Sequence, residues 1–341
     1  MQDPLQSLAT IMIPAMEKEM RLVLENGGER IDPFYGMMHY HMGWVDHKFG
    51  RLSAKSGKRI RPLLCLSVTQ AAGGEWPTAI PGAASIELLH NFTLIHDDIQ
   101  DASPTRRGRA TLWKIWGANQ AINSGDAMFA VAHIAMSRLM ERGVPGETVV
   151  TCLRRLDETC VVLTIGQYVD MSFENQQTVT VDEYLSMIDG KTAALLAYSA
   201  ELGARVAGCQ TDVINHYAAF GRDLGLAFQV RDDILGIWGD ELLIGKSAAT
   251  DIVTRKKSLP VLFGLSQSAE LRELYTQDAS DEPFVKQVIQ ILDNVKAREF
   301  AENYEEQHAQ SALDHLAAAG GQGAAGEALY QLSDMLLNRQ A

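Results

Sequence analysis

Apolar residues recur at helical spacing along most of this 341-residue chain. Residues 5–26 alternate apolar and charged positions as an amphipathic helix does. Similar periodic stretches cover residues 83–101, 112–140, 147–170, 284–317 and 327–339. Thr180 and Glu183 have the spacing of a capping box, which predicts a further helix start. Since no stretch has the strict alternation of a strand, the pattern predicts an all-α chain.

One predicted helix contains a glycine where a helix would not favour it. Asp189-Gly190-Lys191-Thr192 continues a helical pattern, and glycine there costs about 1 kcal/mol relative to alanine. This cost predicts a kink or a close approach of two backbones. By contrast, residues 102–109 and 239–260 are rich in the small and polar residues of loops.

Composition narrows the class of protein. The chain is 46% hydrophobic and 21% charged, which is typical of a globular protein. Without a linker-like stretch, a single domain over residues 1–341 is expected. The formal charge of −13 argues against a nucleic-acid partner. No apolar run approaches the roughly 18 residues of a membrane span, and no signal peptide is evident, so a cytoplasmic protein is expected.

The four cysteines, Cys65, Cys152, Cys160 and Cys209, lie in apolar helical patterns without the spacing of a zinc site. We predict four buried thiols outside any disulfide. His39, His41 and His47 are irregularly spaced, with no obvious carboxylate partner. A structural role is therefore favoured over a metal site for these histidines.

Three carboxylates follow the apolar run of residues 85–95. A helix turns about 100° per residue, so Asp97 and Asp101 share one face and Asp98 lies to the side. Like charges one turn apart repel, and Mg²⁺ is a suitable counter-ion because it is often held by one or two carboxylates and substrate phosphates. A solvated acidic helix end is the alternative.

A second acidic cluster favours the metal hypothesis. Asp232 and Asp233 again follow an apolar run and precede an isoleucine, as Asp97 and Asp98 do. Inward-facing carboxylates in a helical bundle are a known way to build a metal site. The two clusters are predicted to face each other across a cavity and to hold several metal ions around one polyphosphate.

Basic residues lie before and after the first acidic cluster. Lys58 and Arg61 are three residues apart, so both can contact one anion when the chain turns helical. Arg106 and Arg107 follow the carboxylates in a loop, and His90 lies nearly two turns before Asp97. A solvated basic turn and structural salt bridges to the aspartates are the competing explanations.

These motifs, in this order, resemble the trans-isoprenyl diphosphate synthases, or polyprenyl synthetases. The resemblance is strong over roughly residues 50–270. It is carried by Gly57-Lys58-Arg59-Ile60-Arg61-Pro62, Asp97-Asp98-Ile99-Gln100-Asp101, Arg106-Arg107-Gly108, Lys191-Thr192, Phe228-Gln229 and Asp232-Asp233-Ile234-Leu235-Gly236. It implies an all-α bundle of ten or more helices around a deep central cavity, usually as a homodimer. It also implies an enzyme that condenses isopentenyl diphosphate with an allylic diphosphate by Mg²⁺-assisted ionisation.

The resemblance also implies roles for individual residues. Mg²⁺, with three ions per site, would be held by Asp97, Asp98, Asp101, Asp232 and Asp233. The allylic diphosphate would contact Arg106, Lys191, Gln229, Lys246 and Lys256, with Thr192 beside Lys191 in the catalytic set. Isopentenyl diphosphate would contact Lys58, Arg61, His90 and Arg107. Gly236 stands where many members have a third aspartate, and Asp240 or a water is expected to replace that contact.

Two residues before the first acidic cluster bear on product length. Thr93 lies about one turn below Asp97 on nearly the same face and is small. Phe92 is bulky, and an aromatic residue at that position resembles the pattern of geranylgeranyl (C20) synthases. A C20 product is therefore expected, with the C15 farnesyl product second.

Three other functions remain as alternatives. A terpene cyclase on the same scaffold would need no second diphosphate site, so the set of Lys58, Arg61 and Arg107 argues against it. A non-catalytic partner subunit would be expected to lose one acidic motif. A Ca²⁺-binding regulatory protein would need a 12-residue loop with alternating oxygen ligands, and none is present.

Overall fold

Helices dominate the computed structural model, which describes residues 3–25, 32–52, 54, 57–173, 176, 178–239, 249–277 and 279–337. The first helices are α1 (Pro4–Val23), α2 (Pro33–His41), α3 (Ile60–Ala71), α4 (Ile80–Gln100), α5 (Leu112–Trp116), α6 (Ala118–Ser137) and α7 (Gly146–Phe173). The next are α8 (Val181–Ile188), α9 (Ala194–Val206), α10 (Thr211–Trp238), α11 (Thr250–Val253), α12 (Leu259–Gln267), α13 (Ala269–Leu274), α14 (Glu282–Asn294), α15 (Ala297–Ala319) and α16 (Gly323–Leu337). The predicted all-α fold is confirmed.

Shorter elements complete the described chain. Trp76–Ala79 and Arg138–Arg142 are 3₁₀ segments, and Asp189–Ala193 is a π-helical turn. Two short strands, β1 (Thr105–Arg106) and β2 (Arg109–Ala110), pair antiparallel. The prediction of a loop without strands over residues 102–109 therefore missed this hairpin.

Two predicted helices are each divided by a residue with positive φ. The stretch 112–140 breaks at Gly117, whose φ of 84° ends α5 and precedes α6. The stretch 284–317 breaks at Lys296, whose φ of 61° separates α14 from α15. Apolar periodicity continues through both breaks, because it records which side chains are buried and not whether the backbone turns. The capping box at Thr180 and Glu183 is confirmed.

The chain divides into two compact units. Unit one comprises Met1–Asp157, Ser199–Ile214 and Gly321–Leu329, and unit two comprises Glu158–Tyr198, Asn215–Gly320 and Tyr330–Ala341. The single domain over residues 1–341 stays a prediction. Among the described helices, none combines the length and apolar composition needed to cross a membrane.

The core of unit one surrounds two helices that are apolar on most sides. Leu64 and Leu66 of α3, with Ile86 and Leu88 of α4, are at most 1% exposed. Burying each such side chain contributes about 1.5–3 kcal/mol. Helix α6 packs along α4. This packing fixes α4, and with it the acidic residues at its C-terminal end.

The core of unit two lies around α8, α10 and α12. Tyr184, Val230, Ile234 and Leu259 are each at most 2% exposed and belong to one hydrophobic cluster. Val230 and Ile234 flank the second acidic motif on α10. The aspartates between them are therefore held by a helix whose other face is buried.

The cysteines follow the prediction with one exception. All four are thiols and none forms a disulfide. Cys65, Cys152 and Cys160 are buried, but Cys209 is only half-buried. It lies just past the end of α9, where the packed helical pattern no longer covers it. Burial raises the pKa of the Cys65 thiol above its ordinary value, which makes that thiol unreactive.

Candidate active site

The first acidic motif lies at the C-terminal end of α4 and is paired with Arg106. The guanidinium Nε donates to Asp98 Oδ1 over 2.7 Å, and a terminal nitrogen donates to Asp97 Oδ2 over 3.2 Å. Asp98 is 2% exposed, and this burial raises its pKa although Arg106 opposes the shift. Asp101 caps the helix and is exposed. The structural salt bridges predicted as the competing explanation are therefore present.

Arg106 is presented by the β-hairpin. Its turn consists of Arg107 and Gly108, which both have positive φ, of 53° and 75°. Two central residues with positive φ characterise the type I′ turn that suits two-residue hairpins. Glycine adopts this conformation readily, whereas arginine does so at a cost of roughly 1–2 kcal/mol. The hairpin is therefore maintained by tertiary contacts.

Arg109, for which no role was predicted, supplies those contacts. Its guanidinium donates to the carbonyl oxygens of Tyr40 and Val45 over 2.8 and 2.7 Å. It also lies over the ring of Tyr40, 3.9 Å from the centroid, and the Tyr40 hydroxyl donates to the Ala110 carbonyl over 2.9 Å. The hairpin is thus fastened to α2 and the segment that follows it.

The basic residues predicted to bind isopentenyl diphosphate come close together in unit one. A terminal nitrogen of Arg61 lies 3.3 Å from His90 Nε2. The guanidinium of Arg107 packs against Gly57, where an added Cβ would lie 3.0 Å from an Arg107 nitrogen. Lys58 follows directly and is exposed. Arg61 and Arg107 both lie close enough to His90 to lower its pKa, so α3, α4 and the hairpin all contribute to one basic surface.

The histidines of this surface are held neutral. Burial lowers the pKa of His90 well below its ordinary value, and the charges of Arg61 and Arg107 lower it further. Neutral His90 can accept a hydrogen bond from Arg61. The pKa of His41 falls to about 3, again through burial first and then through neighbouring arginines. Both rings therefore remain uncharged at neutral pH.

Arg59, between Lys58 and Arg61, has a different environment. Its side chain is 1% exposed and forms a salt bridge with Glu87, which is 4% exposed. Asn91 Nδ2 also donates to Glu87 Oε1 over 2.9 Å. Arg59 is the N-cap residue of α3 and has a φ of 50°. This buried ion pair anchors the start of α3 to α4.

The second acidic motif places its two aspartates differently. Asp233 is fully buried. Its carboxylate accepts hydrogen bonds from the Tyr184 hydroxyl, from Gln229 Nε2 at 3.3 Å, from the Leu259 amide at 3.2 Å and from Lys256 Nζ at 3.5 Å. Asp232 is only partly buried. Of the two, Asp233 is the one that fixes its surroundings, and neither Tyr184 nor Leu259 was predicted to contribute.

Lys191 and Thr192 lie in the π-helical turn between α8 and α9. Thr192 Oγ1 donates to Gln229 Oε1 over 2.9 Å, and Lys191 pairs with Asp170 of α7. A Cβ at Gly166 of α7 would lie only 2.4 Å from the Lys191 amide nitrogen. Of the two predicted alternatives, the close backbone approach is therefore confirmed, and the irregularity takes the form of a π-helical turn. π-turns of this kind are frequent at functional sites.

The residues implied by the resemblance thus form two groups. Unit one contains Lys58, Arg61, His90, Asp97, Asp98, Asp101, Arg106 and Arg107. Unit two contains Lys191, Thr192, Gln229, Asp232, Asp233 and Lys256. Lys246 and Asp240 lie outside the described residues. The apposition of the two acidic motifs across one cavity stays a prediction.

The acidic residues suit Mg²⁺ as a set of donors. Within the described ranges, no group of three or more His, Cys, Asp or Glu side chains is arranged to hold a metal ion alone. Mg²⁺ does not need one, because it usually takes one or two carboxylates and fills its other positions with phosphate oxygens and water. Arg106 on Asp97 and Asp98, and Lys256 on Asp233, show that both motifs attract positive charge. The residues therefore fit the ion.

Of the three early histidines, His39 has the contacts expected of a structural residue. His39 Nε2 lies 3.1 Å from the Leu24 carbonyl oxygen, and the ring packs on Trp44. His41 is half-buried and His47 is exposed. His39 therefore joins α2 to the end of α1.

Known proteins similar to this chain agree on one class. The sequence model described as polyprenyl synthetase matches residues 43–292. The (2E,6E)-farnesyl diphosphate synthase of Mycobacterium tuberculosis is 37% identical over 328 residues, which span 93% of this chain and 90% of that protein. The geranylgeranyl diphosphate synthase of the same organism is 42% identical over 253 residues, or 73% of this chain and 71% of that protein.

A solved structure gives the same result. The crystal structure of geranylgeranyl pyrophosphate synthetase from Pyrococcus horikoshii superimposes with a TM-score of 0.87 at 29% identity, covering 99% of both chains. The all-α fold and these relatives define a prenyltransferase. In particular, the chain belongs to the polyprenyl synthetase family.

The contrast between Arg59 and Lys58 gives a prediction about stability. Arg59→Gln leaves Glu87 buried without its counter-charge, so the free energy of unfolding should fall by about 3–5 kcal/mol. Lys58→Gln, at the exposed neighbouring position, should change it by no more than about 0.5 kcal/mol. Urea unfolding monitored by circular dichroism measures both variants. Equal unfolding midpoints would show that the Arg59–Glu87 pair does not stabilise the fold.

Proposed function

We propose that this prenyltransferase is a short-chain synthase that condenses isopentenyl diphosphate with allylic diphosphates and yields mainly geranylgeranyl diphosphate. The observation that carries the proposal is the basic surface of Arg61, His90 and Arg107. A second anionic substrate needs such a surface in addition to the acidic motifs. Relatives named for farnesyl and for geranylgeranyl diphosphate both align with the chain, which supports a short-chain product.

In the proposed reaction, the C1–O bond of the allylic diphosphate breaks and leaves a carbocation and a diphosphate anion. Mg²⁺ would be held, together with that diphosphate, by Asp97, Asp98, Asp101, Asp232 and Asp233. When bound, it would supply positive charge opposite the negative charge that develops on the leaving group. The same diphosphate is held, by hydrogen bonds and charge, by Arg106, Lys191, Gln229, Lys246 and Lys256.

Isopentenyl diphosphate binds at the basic surface, and its double bond attacks C1 of the carbocation. The new C–C bond lengthens the chain by one isoprene unit, and a proton then passes to the released diphosphate. The second diphosphate is bound by Lys58, Arg61, His90 and Arg107. Neutral His90 also keeps Arg61 oriented. Holding the two reactants in separate anion sites lowers the entropic cost of their encounter.

A product assay tests the function. Purified protein is incubated with Mg²⁺, isopentenyl diphosphate and a C5, C10 or C15 allylic diphosphate, and products are sized by mass spectrometry. Chain elongation is expected, and Asp97→Ala or Asp232→Ala should each lower kcat by about 10²-fold or more, because each removes charge stabilisation of the leaving group. Full activity in either variant would contradict the proposed metal-binding role of that aspartate.

The same assay separates the alternatives. A terpene cyclase would release hydrocarbon from an allylic diphosphate alone, without isopentenyl diphosphate. A non-catalytic partner subunit would make no product in any combination. The C15 alternative is a farnesyl diphosphate synthase, which would stop at farnesyl diphosphate even when excess isopentenyl diphosphate is present.

Phe92 is proposed as the floor that limits product length. Its ring centroid lies 5.2 Å from that of Phe129 on α6 and 5.0 Å from that of His96. Phe129 in turn packs on His133. A ring supported on two sides resists displacement by a growing prenyl chain. Thr93 presents a small side chain, and its hydroxyl donates to the His90 carbonyl over 2.8 Å.

Replacing the ring should lengthen the product. Phe92→Ala removes the floor, so products longer than C20 should appear by mass spectrometry, each extended by whole isoprene units. Thr93→Ala serves as the matched control on the adjacent residue and should keep the product distribution. An unchanged distribution in Phe92→Ala would show that another residue limits the chain.

A homodimer in the cytoplasm is the proposed form of the enzyme. On α7, Val161, Ile165 and Tyr168 recur at helical spacing and are 57%, 56% and 74% exposed. Contiguous exposed apolar side chains of this kind often mark protein–protein contacts. A second copy of the chain is the proposed partner of this face.

A charge placed on that face should disrupt the dimer. Ile165→Lys would bury an unpaired ammonium in the interface, which is costly. The molar mass from size-exclusion chromatography with light scattering should fall from that of a dimer to that of a monomer. Ile11→Lys is the control, because Ile11 of α1 is similarly exposed, at 51%. A monomeric wild type, or a dimeric Ile165→Lys variant, would contradict the proposed interface.

A further inference from the structure

The second acidic motif has no side chain at Gly236, and the carboxylate of Asp251 lies close to that position. A Cβ added at Gly236 would lie 2.7 Å from both Cγ and Oδ2 of Asp251, and 2.9 Å from Oδ1. Those distances are shorter than van der Waals contact, so the Asp251 carboxylate lies directly against the Gly236 backbone. A side chain at position 236 would have to displace the Asp251 carboxylate. Gly236, the fifth residue of the motif, therefore has no side chain, but the carboxylate of Asp251 lies next to it.

Asp251 is fixed by the segment that contains it. It belongs to the single turn α11, and its side chain is 13% exposed. Four residues later, Arg255 donates to the carbonyl oxygens of Gln277 and Ala279, both over 2.7 Å. The same guanidinium lies over the ring of Phe284, 4.0 Å from its centroid. These contacts fasten the segment to the helices that follow it.

Charge links Asp251 to the motif. The ammonium of Lys256 lies 3.6 Å from Asp251 Oδ2 and 3.5 Å from Asp233 Oδ1. Burial disfavours the charged form of Lys256, but the carboxylates of Asp233 and Asp251 outweigh it and raise its pKa above the ordinary value. One cation therefore already occupies the space between the two carboxylates, which shows that this position favours positive charge.

We propose that Asp251 serves as the third carboxylate of the second acidic motif and strengthens the binding of Mg²⁺ with diphosphate. The inference rests on the proposed function, because it assigns a residue to the metal site of that reaction. Asp240, which the sequence suggested as the substitute, is four residues after Gly236, whereas Asp251 comes from a separate helical turn. Gly236 provides no carboxylate, and Asp251 provides one beside it.

A metal-binding measurement tests the assignment independently of turnover. Mn²⁺ replaces Mg²⁺, and free Mn²⁺ is measured by electron paramagnetic resonance in the presence of inorganic pyrophosphate. A protein-free blank corrects for Mn²⁺ bound by pyrophosphate alone. Asp251→Asn keeps the shape of the side chain but removes its charge, and should raise the dissociation constant of Mn²⁺ about tenfold or more.

A reciprocal exchange separates a metal role from a structural one. Gly236→Asp alone should weaken binding and stability, because the new side chain collides with Asp251. Gly236→Asp combined with Asp251→Gly removes the collision and returns a carboxylate to the same place. The double variant should recover Mn²⁺ affinity to within about threefold of the wild type. Such recovery shows that the two positions are coupled, because the effects of independent sites would add.

Asp223→Asn provides the matched control. Asp223 is also on α10 and is 7% exposed, but it pairs with His308 and Ser311. Its replacement should leave Mn²⁺ affinity unchanged. Wild-type affinity in Asp251→Asn would overturn the inference, as would a folded double variant that stays as weak as Asp251→Asn. A wild type that neither binds Mn²⁺ with pyrophosphate nor elongates allylic diphosphates would overturn the proposed function as well.

Discussion

Pairing of carboxylates with cations of the same unit is the interaction on which the candidate site depends. Adjacent aspartates repel, and burial strengthens that repulsion. Arg106 contacts Asp97 and Asp98, and Lys256 lies between Asp233 and Asp251. Arg106 and Lys256 are also the cations proposed to bind the allylic diphosphate. In the proposed reaction, Mg²⁺ would replace these cations beside the aspartates as the cations turn to the diphosphate, so that neither set of charges would be left without a partner.

Close backbone packing determines where the remaining polar groups can act. The π-turn at Asp189–Ala193 places Thr192 against Gln229 and Lys191 against Asp170. That turn fits only because Gly166 of α7 has no side chain. The energetic cost of a glycine inside α7 and of an irregular turn is offset by the hydrogen bonds that the turn makes. Gln229 connects this turn to Asp233, so the geometry of α8, α9 and α10 is coupled through one amide.

Local sequence was sufficient for features that are set by a few neighbouring residues. The capping box at Thr180, the irregularity at Gly190 and most helix positions follow from propensity and apolar spacing, which act over one or two turns. The hairpin was not predictable, because each strand has two residues and Arg109 maintains it through carbonyl groups about 65–70 residues earlier. The helix break at Lys296 was also missed, since a non-glycine residue with positive φ has no reliable sequence signal. Asp251 could not be linked to Gly236 by spacing, because only the folded segment brings them together.

The acidic and basic motifs share one pattern, in which neighbouring charged residues have different environments. Arg59 is buried against Glu87, whereas Lys58 is exposed. Asp233 is fully buried among four donors, whereas Asp232 is only partly buried. In each pair the buried residue makes the contacts that hold neighbouring segments together. Such support does not exclude a role in binding, because Asp233 anchors its surroundings and is also proposed to contact Mg²⁺. A charge motif therefore contributes to the packing of the site as well as to its chemistry.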